Sequence, residues 1–177
     1  MTQRPALRLV SGGIAADADI SWSWFCGHCA APSPNGAPPA PSARVCTSCG
    51  LGLLLETRED AVPSDRDAFL VVDSSLLIQA MSREAQSLLG VAEELAIDLP
   101  VAELLAPADA ETQGRAGFAA AIVSAAAGEE YDTVRSFVRP WNTFGVRMRT
   151  RIATCGPPRA ALIVLESART PALRAVS

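Results

Sequence analysis

Four cysteines in two C-x-x-C pairs constrain this chain more than any other feature. Cys26-Gly27-His28-Cys29 and Cys46-Thr47-Ser48-Cys49 stand sixteen residues apart between their inner cysteines. A two-residue spacer lets one tight turn aim both sulfurs of a pair at a common point. Two pairs at this separation have the spacing of tetrahedral Zn²⁺ sites, where four thiolates converge at about 2.3 Å from the ion. Gly50 follows the second pair, where an unrestricted φ helps the turn close. A disulfide framework would need an oxidising compartment. The segment from Met1 to Ile20 carries two arginines but no continuous apolar stretch of the kind a secretory signal has. A thioredoxin-like motif would need one pair in a βαβ setting, not two pairs around the Pro-rich loop from Ala31 to Ala43. His28 could bind an ion only by displacing a better-placed thiolate. Cys26, Cys29, Cys46 and Cys49 are therefore predicted to hold one structural Zn²⁺. Four protein ligands leave no open position for catalysis.

Composition narrows the remaining classes. The chain has 177 residues, enough for one domain and a smaller module. Its 15 basic residues are all Arg, against 19 Asp and Glu, and the net charge of −4 argues against a broad nucleic-acid surface. Apolar residues make up 49%, sufficient to build a core. No run approaches the roughly 18 apolar residues of a membrane span, so no membrane association is expected, and the chain reads as cytoplasmic. A single His excludes a Ser-His-Asp triad and a His-rich catalytic metal site. Glu93-Glu94 and Glu129-Glu130 are adjacent pairs, read as solvated charges at helix ends. No catalytic residue is assigned, and the chain is not expected to be an enzyme.

The organisation predicted is a flexible tail over 1–20, the cysteine module over 21–56, a linker over 57–66, a second domain over 67–168 and a C-terminal tail over 169–177. Within the second domain, Phe69-Leu70-Val71-Val72 and Leu76-Leu77-Ile78-Gln79-Ala80 are strand-like and joined by a short Asp/Ser turn, which predicts a hairpin. Ser82 has N-cap chemistry for a helix that stops at Gly90. Short helical turns follow over 91–97 and from Pro100 to Leu105. The Ala-rich stretch from Thr112 to Ala127 is the longest helix candidate. Three strands complete the order: 131–139, 144–154 and 160–166. Two strands, a helical middle and a three-strand meander predict a mixed α+β domain with a five-stranded antiparallel sheet.

Two resemblances follow from these residues. The module resembles a zinc ribbon: Trp22, Trp24 and Phe25 precede Cys-Gly-His-Cys, and a loop leads to Cys-Thr-Ser-Cys-Gly-Leu. Zinc ribbons bind nucleic acid or protein. Here Arg44 and Arg58 face Glu56, Glu59 and Asp60 in the sequence, which favours packing or protein contact by Trp22 and Trp24 over base stacking. The segment from Phe69 to Gly90 resembles the opening of a PAS domain, with Ala85-Gln86-Ser87-Leu88-Leu89-Gly90 and the Glu-rich Val91-Ala92-Glu93-Glu94 after the hairpin. Leu99-Pro100-Val101-Ala102-Glu103-Leu104-Leu105 resembles that family's next helix. The resemblance implies helices on one face of the sheet and a sensory or dimerising role. The reactive Asn-Cys-Arg-Phe motif of flavin photosensors does not occur. No His follows His28, and the one Cys of this domain, Cys155, sits in a Gly-Pro turn, so neither flavin nor haem is expected.

Strand faces add a partner expectation. On 144–152 the even positions Phe144, Val146, Met148 and Ile152 are apolar, whereas Arg147, Arg149 and Arg151 occupy the odd ones. Period-two alternation sends the arginines outward, where the neighbouring strand adds Arg135 and Arg139. That face is either merely solvated or a contact for anions and acidic partners. In the last strand, Leu162 and Val164 alternate with Ile163 and Leu165, so both faces are apolar and both need cover. Helices supply one cover. A homodimer through the sheet is the first candidate for the other and the zinc module the second, with Trp22 and Trp24 as the module's contact residues. The function expected is a non-catalytic regulator that senses a small molecule or a partner protein and interacts through the ribbon. The alternative is a zinc-ribbon nucleic-acid binder controlled by PAS dimerisation.

Overall fold

The computed structural model describes residues 21–108, 114–129, 132–143 and 145–166. The tails expected over 1–20 and 169–177 lie outside the described residues. So do Phe144 and Tyr131, at the expected starts of two strands.

Two strands frame the cysteine module. β1 (Trp22–Cys26) pairs antiparallel with β2 (Leu54–Arg58) along its whole length, from Trp22 opposite Arg58 to Cys26 opposite Leu54. The hairpin of the second domain follows as β3 (Ala68–Val72) and β4 (Ile78–Met81). Asp73 sets its turn by accepting the N–H groups of Ser75 and Leu77. Helix α1 (Arg83–Leu89) starts where Ser82 accepts the Ala85 N–H at 3.1 Å, and it ends at Gly90. Two single turns, α2 (Glu93–Ala96) and α3 (Val101–Leu104), lead into a short strand β5 (Leu105–Pro107). Helix α4 (Gly114–Ala127) and the meander β6 (Val134–Pro140), β7 (Met148–Gly156) and β8 (Ala160–Glu166) complete the chain.

The α+β class, the antiparallel sheet and the order of elements agree with the sequence reading. The sheet is larger than expected. Its strand order is β1-β2-β7-β8-β3-β4, with β6 on β7 and β5 on β6, eight strands among the described residues instead of five. β7 explains the difference. Its first half, 148–152, pairs with β6, while Cys155 and Gly156 pair with Thr57 and Glu56 of β2. One nine-residue strand is long enough to take two neighbours in succession on the same edge. Residues 57 and 58, placed in a linker by composition, are strand, and Thr57 is fully buried with its hydroxyl donating to the Thr154 carbonyl at 2.7 Å. The rest of that segment is also tied down. Ala61 is fully buried, Arg58 pairs with Asp60 at 2.9 Å, and Asp60 accepts from Thr133 at 3.0 Å.

Two apolar layers sandwich the sheet. On one side Ile163, Leu165, Leu70 and Ile152 pack with Leu89, Phe118 and Ile122 of the helices. On the other, Leu162, Val164, Phe69 and Val71 pack with Phe25, Ala30 and Leu55 of the cysteine module. All of β3 and the first six residues of β8 are buried accordingly. The apolar-on-both-sides reading of β8 thus finds both covers within one chain. The face carrying Leu162 and Val164 is occupied by the module. The covering residues differ from those expected. Trp22 is 41% exposed, and Trp24 packs beside the cysteines, with the Arg44 guanidinium 6.0 Å from its ring. Phe25, one residue on, carries the contact: its ring meets Phe69 edge-on at 5.9 Å. Period two explains the exchange, because Trp22 and Trp24 share one face of β1 and Phe25 takes the other. Val146, expected inward, precedes β7 and is exposed.

Candidate metal centre

Each cysteine pair sits in the same turn. In the first, the Ala30 N–H donates to the Cys26 carbonyl at 3.0 Å and Ala30 has φ +59°. In the second, the Gly50 N–H donates to the Cys46 carbonyl at 2.9 Å and Gly50 has φ +69°. Position five of each turn is left-handed, a conformation that glycine adopts freely and alanine at a cost. Gly50 was legible for this reason; Ala30 gave no signal.

The turns face one another. All four sulfurs lie within 4.8 Å of one another, with Cys26 Sγ 3.7 Å from Cys49 Sγ and Cys29 Sγ 3.9 Å from Cys46 Sγ. Sulfurs at about 2.3 Å from a tetrahedral ion stand about 3.8 Å apart, so the cluster fits one ion at its centre. The thiols are free and well beyond disulfide distance. Backbone amides point at the sulfurs: those of His28 and Cys29 donate to Cys26 Sγ at 3.4 and 3.5 Å, and that of Gly52 to Cys49 Sγ at 3.5 Å. Such donors stabilise thiolate charge and orient the ligands. Their effects differ by site. Burial pushes the Cys26 and Cys29 thiols up despite their amide partners. At Cys49 burial acts in the same direction, but the Gly52 and Leu51 amides together with the Cys29 and Cys26 side chains outweigh it, bringing the thiol down to about 6. The four predicted ligands come together as a set that could hold a metal ion.

Gly52 is the residue that the sequence reading missed. A Cβ there would stand 2.5 Å from Cys26 Sγ and 2.7 Å from the His28 Cβ. The backbone of 52 passes too close to the first turn for any side chain. Its signal is the second glycine in Gly50-Leu51-Gly52, which turn chemistry alone does not separate from the first.

His28 is not aimed at the cluster. Its Nδ1 lies 2.9 Å from Glu93 Oε2, and Glu93 Oε1 accepts the N–H of the buried Met81 at 2.9 Å. Glu93, read as a solvated helix-end charge, therefore ties the first cysteine turn to β4 and α2. Nothing local marks it, because its partners are 65 and 12 residues away. A second tie comes from Arg44, which donates to the Leu54 carbonyl at 3.0 Å and reaches the Pro157 carbonyl beyond β7. Between these ties a cleft of about 380 Å³ opens beside the cysteine turns, with Leu53 and Leu55 on the module side and Val71 and Ala80 on the sheet side. Cys155 is buried in the seam between module and sheet, and burial pushes its thiol up to about 12. Among the described residues no helix is long and apolar enough to cross a membrane.

No family model and no curated protein matches this sequence. Solved structures do. The chain is similar to the PAS domain of nitrogen regulation protein NR(II) from Vibrio parahaemolyticus, with a TM-score of 0.41 and 11% identity over 57% of this chain and 88% of that one. A PAS domain from Colwellia psychrerythraea gives a TM-score of 0.39 and 19% identity over 57% of this chain and 85% of that one. A third, from Desulfitobacterium hafniense, gives 0.40 and 12% over 56% and 90%.

Proposed function

We propose that this chain is a non-catalytic regulatory protein in which a zinc ribbon is built onto a PAS-like sensory domain. The ion is Zn²⁺, held by Cys26, Cys29, Cys46 and Cys49. A closed set of four thiolates suits a structural role, and it supplies folding free energy that so short a module cannot draw from a core of its own. The PAS-like reading rests on the run from Phe69 to Gly90 and on the order of hairpin, short helices, longer helix and meander that follows it.

One observation carries the functional reading: β2 pairs with β7, and Phe25 and Leu55 roof the outer face of β8 and β3. A change in sheet curvature or helix packing, produced by a small molecule or a partner protein, reaches the ribbon through shared hydrogen bonds and a shared apolar layer. The ribbon is then the output surface. Among the described residues no paired catalytic groups accompany it.

Native mass spectrometry of the full chain, purified without added metal, tests this reading. One zinc per chain on reduced thiols is expected, together with any co-purified ligand. Absence of zinc, or disulfides between the pairs, overturns the ribbon. Hydrogen exchange tests the coupling: amides of β1 and β2 should open together with those of β7 and β8. Independent opening of the hairpin would overturn it. Salt-dependent DNA binding by the full chain would favour the nucleic-acid alternative.

A further inference from the structure

The cysteine module covers only part of the outer sheet face. Beyond it, β6, the first half of β7 and the residue before β7 present Arg135, Arg139, Arg149 and Arg147, all exposed, around the half-buried ring of Phe137. The fifth outward arginine, Arg151, is consumed internally: it lies 3.1 Å from Glu166 and donates to the Asp60 carbonyl at 2.6 Å. Among the described residues, no carboxylate lies within ion-pair distance of Arg135, Arg139 or Arg149. Arg135 stands directly opposite Arg151 in the ladder, whose own charge is met by Glu166. This concentration of cations occurs on a chain whose net charge is −4.

We propose that this open half of the sheet face is a docking surface for an acidic segment of a partner protein. Three features select that partner chemistry. Guanidinium forks match carboxylates bidentately. Arg147 and Arg149 lie over Phe137, at 4.9 and 6.0 Å from its centroid, and for Arg149 this orders the fork before binding and lowers the entropy lost on contact. The same stacking covers Phe137, so that ring is not a free platform for nucleic-acid bases. The patch is also short. Arg135 and Arg139 are four residues apart on one strand, roughly 13 Å, which suits a few carboxylates better than a long phosphate chain. The proposal does not depend on the identity of the metal or on the sensory reading.

The test uses the full chain in about 150 mM salt, where exposed single contacts are largely screened. Fluorescein-labelled decaglutamate and an oligo-dT of equal charge are the probes, read by anisotropy. Decaglutamate is expected to bind more tightly than oligo-dT. The Arg135→Gln, Arg149→Gln double variant should weaken it roughly tenfold with an unchanged far-UV spectrum, while Arg83→Gln, an exposed change on α1, should leave it unaltered. Three results would overturn the proposal: no decaglutamate binding, equal binding by the double variant, or tighter oligo-dT binding lost in the same variant. The last would assign the face to nucleic acid.

Discussion

Phe25→Ala probes the junction between module and sheet directly. Phe25 is fully buried, and its ring packs edge-on against Phe69 among Val71, Leu162 and Val164. Truncating a buried Phe to Ala costs about 3–5 kcal/mol, of which the aromatic pair contributes about 0.5–1.5. Against a total stability of about 5–15 kcal/mol this is a large fraction. At about 2–4 °C per kcal/mol for a chain of this size, the midpoint should fall by roughly 6–20 °C. Trp22→Ala, three positions before Phe25 in the chain but partly exposed, should cost less than about 0.5 kcal/mol. Scanning calorimetry of the metal-loaded full chain, with released metal followed by a chromogenic chelator, distinguishes the outcomes. One transition that moves down as a unit is expected, with metal retained below it. Equal midpoints for the two variants would refute the assignment of Phe25 as the contact residue. A new low-temperature transition beside an unmoved main one would refute the joint folding of module and sheet.

Three further outcomes follow from the site. Gly52→Ala places a Cβ against Cys26 Sγ and the His28 backbone, and should weaken zinc binding by about tenfold or more in competition with a chromogenic chelator; unchanged affinity would show that the close approach relaxes without cost. Cys46→Ser, or chelation of the native protein, should destabilise β7 and β8 as well as the module, since the hairpin is paired to β7. A thermal midpoint for the 67–166 region that does not move on metal removal would contradict this. Zinc uptake at pH 7 should release at least two protons, because the Cys26 and Cys29 thiols are raised and stay protonated in the metal-free protein, whereas Cys49, at about 6, is already mostly thiolate. Affinity should therefore rise with pH. Calorimetry in buffers of different ionisation enthalpy counts the protons, and fewer than two would overturn the assignment.

Much of this was legible along the chain. The four thiol positions follow from spacing, since a metal's demand for converging sulfurs is met by two local turns. The hairpin, the Ser82 cap, the Gly90 stop and the outward arginines on β7 follow from turn chemistry and period two, which are also local. The double-sided burial of β8 was likewise visible, because a strand with two apolar faces requires two covers wherever it lies.

What the sequence left open was the identity of each cover, and only the tertiary structure decided it. A strand's alternation says which residues share a face but not what that face meets. Composition placed 57–66 in a linker, yet Thr57 is sealed against β7 by a carbonyl that lies 97 positions away. Trp22 and Trp24 were the larger side chains, but the register of β1 on β2 turned Phe25 toward the sheet instead. Glu93 joined His28 because the folded chain brings α2 beside the first cysteine turn. Distant pairings of this kind are set by the register of strands and the packing of layers. They depend on where the whole chain runs, so no window of sequence contains them.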